Sequence, residues 1–143
     1  MIIFLRHGQA ENNTKKILAG RTPGINLTED GKKQAEQAGE MIKSLNVSAI
    51  YSSPIDRAMQ TAEIVGKHCD VKPISDDRLI ELDMGKFTMM PYDDIFASHG
   101  NVFLKFYEGS LEISHNGVES FSEVQKRVFD IVDFVKNKHK GEN

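Results

Sequence analysis

Short apolar runs alternate with amphipathic stretches through the first half of this chain, and that alternation narrows the folds open to it. Met1-Ile-Ile-Phe-Leu5 is a continuous apolar run that stops at Arg6. Its length and isoleucine content predict a strand buried on both faces, as in the middle of a parallel sheet. A polar loop from Gly8 to about Leu27 follows, broken by Gly20, Pro23 and Gly24. Thr28 reads as a helix N-cap, and Glu29 and Asp30 suit the positive end of a helix. Ala35, Ala38, Met41, Ile42 and Leu45 repeat at helical spacing, which predicts an amphipathic helix over 29–45.

A second buried strand is expected from Ser48 to Ser52. Pro54 then suits a first helical turn, and Ile55, Met59, Ala62 and Val65 continue on one face. Val71 to Ile74 reads as a short third strand. Strand, helix, strand, helix, strand is the pattern of an α/β domain with a mostly parallel sheet and right-handed crossovers. Beyond residue 80, short helices are expected around Tyr92–Phe96 and Phe103–Tyr107. A long one, capped by Ser120, carries Val124, Val128, Ile131, Val132 and Val135 to about Lys138. No repeat or linker interrupts the chain, so 1–143 is read as one domain.

Composition removes several partners. A net charge of −3 gives no reason to expect nucleic acid as a partner. Cys69 is the only cysteine, which excludes an intramolecular disulfide, and no Cys/His cluster suggests a metal. The apolar N-terminus is too short for a secretory segment or a membrane span, so a cytoplasmic location without a membrane partner is expected. The sequence leaves the oligomeric state open.

Two motifs carry chemistry. Arg6-His7-Gly8-Gln9 closes the first expected strand, where open α/β sheets bind ligands in the crevice outside the strands' carboxyl ends. Arginine offers phosphate a planar fork of donors. Histidine can attack phosphorus through one ring nitrogen while a carbonyl holds the other N–H. Gly8 would let backbone approach an oxyanion closely. Taken alone, the triplet fits a hydrogen-bonded histidine at a strand end equally well. Ser52-Ser-Pro-Ile-Asp-Arg57-Ala-Met-Gln-Thr61 closes the second strand and opens the next helix, whose N-terminus and Arg57 could add to a phosphate pocket. A solvated Arg57 on an ordinary helix fits the same spacing.

These motifs, in this order, resemble the histidine phosphatase superfamily, which includes the phosphoglycerate mutases. Its Arg-His-Gly-Glu/Gln motif with a later asparagine matches Arg6, His7, Gly8, Gln9 and Asn13. A Gly-Arg loop and Leu-Thr-x-x-Gly-x-x-Gln-Ala match Gly20-Arg21 and Leu27 to Ala35. Ser-Ser-Pro-x-x-Arg-Ala-x-Gln-Thr matches Ser52 to Thr61. Leu-x-Glu-x-x-x-Gly matches Leu79 to Gly85, and Gly-x-Glu-Ser matches Gly117 to Ser120. The resemblance implies a three-layer α/β/α sandwich around a mostly parallel sheet. It implies phosphomonoester hydrolysis without a metal or other cofactor, through a phosphohistidine on His7. Arg6 and Arg57 would bind the phosphoryl group with help from Asn13, and Glu81 would act as general acid and base. Gly8, Arg21 and Ser120 are the further phosphate or substrate contacts it implies. The partner is then a small phosphomonoester.

The chain departs from the family in two places. A second histidine, expected in a strand after the last long helix, has no counterpart among His68, His99, His115 and His139, each expected at the surface. The chain is therefore read as a fragment of a longer protein, its sheet incomplete towards the C-terminus, with a self-contained shortened form as the alternative. Where many relatives carry Trp-Glu-Gly, this chain has Phe87-Thr88-Met89, and Met84, Phe87, Met89 and Met90 form an apolar cluster read as core or lid. A phosphoglycerate mutase and a catalytically silent phospho-ligand-binding domain stay open as alternatives. A nucleotide-binding domain is disfavoured by the lack of a Gly-rich phosphate loop.

Overall fold

The computed structural model describes residues 1–109 and 114–142. In chain order the elements are α1 (Glu11–Thr14), α2 (Glu29–Ile42), β1 (Tyr51–Ser52), α3 (Asp56–Cys69), β2 (Ile74–Ser75), α4 (Tyr92–His99), α5 (Val102–Tyr107) and α6 (Phe121–Lys138). Short 3₁₀ turns occupy Lys43–Leu45, Asp77–Leu79 and Gly85–Phe87. The class is α/β. β1 and β2 pair in parallel, with Tyr51 opposite Ile74 and Ser52 opposite Ser75, and α3 forms the crossover between them. No described helix is long and apolar enough to cross a membrane.

The helices follow their sequence signals closely. The Thr28 hydroxyl accepts the Gly31 amide at 3.0 Å, which starts α2 one residue later. Gly31, Ala35 and Gly39 form the buried face of α2, and the two helices α2 and α3 pack together. Gly39 leaves room for the His68 ring from α3; a Cβ there would lie 2.4 Å from the ring. His68 in turn pairs with Glu36 and Glu40 of α2. At α6, Ser120 and Glu123 cap each other's backbone N–H groups in a reciprocal capping box.

The expectation for the first strand needs correction. Residues 1–5 make no strand pairing with β1 or β2, and their side chains are exposed, Phe4 by 75% and Leu5 by 51%. An apolar run signals a buried strand only where neighbours cover both its edges and both its faces, and the described residues supply no such cover. The second and third strands are also shorter than expected, two residues each. An unpaired apolar segment of this kind is a template for self-association. Phe4→Lys, which places a charge at the most exposed aromatic of the run, should lower light scattering by concentrated solutions and leave the thermal midpoint nearly unchanged.

The main core lies elsewhere. Met84, Phe87, Ile95, Val102, Phe106 and Val118 pack with Leu18, joining the 3₁₀ turn at 85–87 to α4 and α5. Of the methionine cluster, Met84 and Phe87 are therefore core, Met90 packs against it, and Met89 is exposed. The other histidines are also placed differently from expectation. His99 packs its ring edge against Phe87 at 5.0 Å, and the Nε2 of His139 meets the Tyr51 hydroxyl at 2.9 Å. His68 is held between α2 and α3, and only His115 is an exposed residue.

Candidate phosphoryl-transfer site

Backbone contact between the segment around Gly8 and α2 sets the position of His7. A Cβ on Gly8 would lie 2.3 Å from the Gly31 carbonyl oxygen, and one on Gly31 would lie 1.9 Å from that of Gln9. Only glycine at both positions allows that approach. The Gly8 N–H donates to Thr61 Oγ1 at 3.1 Å, and the Thr61 hydroxyl donates to the Arg57 carbonyl at 2.8 Å. The segment after Leu5 is thus pinned to the first turn of α2 and the second turn of α3. Gly8 spends its small size on this packing and its N–H on Thr61, rather than on an oxyanion.

His7 is half-buried. Its Nδ1–H donates to the Gly8 carbonyl at 2.7 Å, which leaves Nε2 with a lone pair. Arg57 Nε–H donates to that nitrogen at 3.3 Å, so two independent contacts select the same tautomer. Burial holds the His7 ring below its ordinary pKa of 6.5; Arg57 and Arg6 push in the same direction, and the Gly8 contact and Glu81 oppose them. The ring therefore stays neutral, with a usable lone pair, into mildly acidic solution. Histidine-resolved NMR titration should place the His7 midpoint under 6.5. Because the unfolded chain then binds the proton more readily, this group's contribution to stability is complete above 6.5 and fades as pH falls through the folded midpoint.

Arg57 is 3% exposed, unlike the solvated arginine its helical spacing also allowed. One terminal nitrogen donates to the Gly20 carbonyl at 2.9 Å and lies 3.6 Å from Glu81 Oε2, and the other, Nη1, is buried without a partner among the described residues. A buried guanidinium nitrogen with no acceptor is an uncommon and costly arrangement that a bound oxyanion would relieve.

These groups face a cavity of about 180 Å³. Its polar lining comprises Arg6, His7, Asn12, Asn13, Arg57 and Glu81. Arg6 is exposed, Asn13 Oδ1 accepts the Ala10 amide at 2.9 Å, and Glu81 Oε1 accepts the Leu82 amide at 2.9 Å. Asn12 carries no signal in the sequence beyond its adjacency to Asn13, yet its Oδ1 is buried and unpartnered beside the cavity. The lining also has an apolar part, from Leu18, Leu82, Met84, Tyr92 and Phe103, the last two rings 6.4 Å apart. Sequence periodicity marked Tyr92 and Phe103 as helix positions and gave no sign that α4 and α5 bring them here.

Three sequence-indicated residues lie outside that lining. Arg21 is bound to the loop after Glu81 and to Glu119, and Ser120 spends its hydroxyl on the α6 cap. Gly8 is committed as described. At the start of α3 the Asp56 carboxylate accepts the Gly24 amide at 2.7 Å. Among the described residues, no three His, Cys, Asp or Glu side chains are grouped to hold a metal.

The chain resembles several characterised proteins. It is 29% identical over 141 residues to phosphoserine phosphatase 1 of Hydrogenobacter thermophilus, covering 96% of this chain and 65% of that one. It is 40% identical over 84 residues to a 2,3-bisphosphoglycerate-dependent phosphoglycerate mutase of Thermoplasma acidophilum, covering 59% of this chain and 42% of that one. Among solved structures, a mycobacterial glucosyl-3-phosphoglycerate phosphatase complexed with VO3 superposes with a TM-score of 0.86 at 28% identity, over 96% of this chain and 65% of the other. The chain thus spans no more than about two-thirds of the length of these relatives. The family profile described as histidine phosphatase superfamily, branch 1, matches residues 2–143. With its fold and motifs in that arrangement from end to end, the chain belongs to the histidine phosphatase superfamily.

Proposed function

We propose that this chain carries the nucleophile and phosphoryl-binding groups of a phosphomonoesterase that works through a phosphohistidine. The observation that supports this best is the His7 ring: Gly8 holds one nitrogen, and the other keeps its lone pair beside two guanidinium groups. In the first step His7 Nε2 attacks phosphorus, the N–P bond forms, and the P–O bond to the leaving group breaks. Glu81, acting as a carboxylic acid, gives its proton to the departing oxygen. Arg57 exchanges its contact with Nε2 for phosphoryl oxygens, joined by Arg6, and both neutralise the charge of the transferring group. Water then attacks the phosphorus, the N–P bond breaks, Glu81 takes the water proton, and inorganic phosphate leaves.

The substrate in this reading is a small phosphomonoester in the cytoplasm, its organic part against the wall formed by Tyr92, Phe103 and Met84. A phosphoglycerate mutase is the second reading, favoured by the likeness to the Thermoplasma enzyme. Trapping the intermediate tests the proposal. Glu81→Gln, incubated with p-nitrophenyl phosphate and quenched in alkali, should carry one phosphoryl group on His7 by peptide mass spectrometry. Label on another residue, or none, would sink the nucleophile assignment. In the wild type, release of inorganic phosphate rather than its return to a phosphoglycerate acceptor separates phosphatase from mutase.

A further inference from the structure

Arg21 and Glu119 stand outside the cavity, yet together they hold the loop that presents Glu81. Arg21 Nε–H donates to the Glu81 carbonyl at 2.7 Å, and its terminal nitrogens reach Glu119 Oε2 at 3.0 Å and Asp83 Oδ2 at 3.5 Å. Glu119 Oε2 accepts the Asp83 amide at 3.3 Å, and the Glu119 amide donates to the Asp83 carbonyl at 2.9 Å. Arg127 of α6 then grips both Glu119 oxygens, at 2.8 and 3.0 Å, and donates to the Arg78 carbonyl at 2.9 Å. The Glu81–Gly85 loop is clamped at Glu81 and Asp83, and the clamp is anchored on a long helix.

The Glu119 side chain is only 12% exposed. Burial works against its charge, but the Arg127 contact, the Asp83 amide and the nearby Arg21 outweigh it and hold the carboxyl below the usual range. Glu119 is thus a charged hub between two guanidinium groups. The Glu81 side chain, by contrast, is nearly half exposed and has few contacts of its own, so its reach towards the cavity depends on where its backbone is held.

We infer that Arg21 and Glu119 are positioning residues for Glu81, setting the distance from its carboxyl to the leaving-group oxygen. The inference rests on the reading of Glu81 as proton donor. Proton donation matters in proportion to leaving-group basicity. Phenyl phosphate releases a phenolate as basic as a tyrosine side chain, with a pKa of about 10, and needs the proton. p-Nitrophenyl phosphate has nearly the same shape but releases a stable anion that does not. The ratio of kcat/KM for phenyl phosphate to kcat/KM for p-nitrophenyl phosphate therefore reports on acid catalysis in the phosphorylation step, whichever step limits kcat, and partial unfolding cancels from it.

The experiment measures that ratio for the full chain and for Glu81→Gln, Glu119→Gln and Arg21→Lys. Glu81→Gln should lower the ratio by roughly a hundredfold, the low end of what general acid catalysis contributes. Glu119→Gln and Arg21→Lys should lower it by about tenfold, because a misplaced acid keeps part of its effect. Arg21→Lys keeps the charge at a partly exposed site and covers the case in which Glu119→Gln fails to fold. If both variants keep the wild-type ratio while Glu81→Gln loses it, the positioning role is wrong and the clamp is only structural. If Glu81→Gln also keeps the ratio, or the wild type turns over neither ester, the reading of Glu81 fails first and the inference falls with it.

Discussion

His7→Ala should abolish hydrolysis of p-nitrophenyl phosphate, lowering kcat by roughly 10⁴-fold or more, the scale seen when a covalent nucleophile is removed. The reason is local. The Nδ1–H···O contact with Gly8 and the Arg57 Nε–H contact fix the ring's one lone pair on Nε2, and no other described side chain in the cavity lining offers a neutral nitrogen nucleophile. Alanine removes the nucleophile but leaves Arg6, Arg57 and Asn13 in place. The variant should accordingly keep its thermal midpoint to within a small shift and still bind orthovanadate more weakly than the wild type. Steady-state kinetics with and without EDTA check the reaction class as well. Turnover that survives chelation and vanishes in His7→Ala is the expected result. Turnover that persists in His7→Ala would mean that the phosphoryl group passes through another residue or directly to water.

Local signals carried the helices almost to their ends. Thr28 and Ser120 are caps in the structure because their hydroxyls accept the first free amides of α2 and α6, and a cap of that kind is a property of a few neighbouring residues. The strands were less legible. Val71 to Ile74 and Ser48 to Ser52 contribute only a two-residue ladder, and Met1 to Leu5 contributes none. Pairing depends on what lies alongside, and an apolar run states only its own preference.

The site shows the same division. Arg6, His7, Asn13, Arg57 and Glu81 line one cavity, as the order of motifs implied they would share a site, and they come from segments up to seventy-five residues apart. The role of each remains a proposal for the experiments above. Arg21 was indistinguishable in sequence from a substrate arginine, since a guanidinium serves a carboxylate or a carbonyl as readily as a phosphate. Only the tertiary contacts with Glu81, Asp83 and Glu119 separate the two uses. Asn12 and the Tyr92–Phe103 wall were hidden for a related reason. α4 and α5 reach the cavity through packing that helical periodicity does not encode.

Phe87→Ala should be the most destabilising single substitution in the described chain, by about 3–5 kcal/mol. Phe87 is fully buried, at the centre of the cluster made by Met84, Ile95, Val102, Phe106, Val118 and Leu18. It is also the last residue of the 3₁₀ turn that begins at Gly85, whose left-handed backbone is wedged against the Asn116 carbonyl. Relaxation into the cavity left by the ring is therefore restricted on the 85–87 side. Since domains of this size are stable by only about 5–15 kcal/mol, the loss would take a large share of the total. Phe87→Leu should cost clearly less, because most of the buried volume remains. Urea titration of the two variants measures the difference. The cost should also reach the site, because Met84 and Leu18 belong both to this core and to the cavity wall. At temperatures where Phe87→Leu is still folded, KM should therefore rise more than kcat falls, since in the proposed reading the wall takes the organic part of the substrate while the His7 tautomer is set by Gly8 and Arg57. A variant that loses kcat with KM unchanged would instead tie the core to the placement of Glu81, through the loop that runs from Glu81 into Met84.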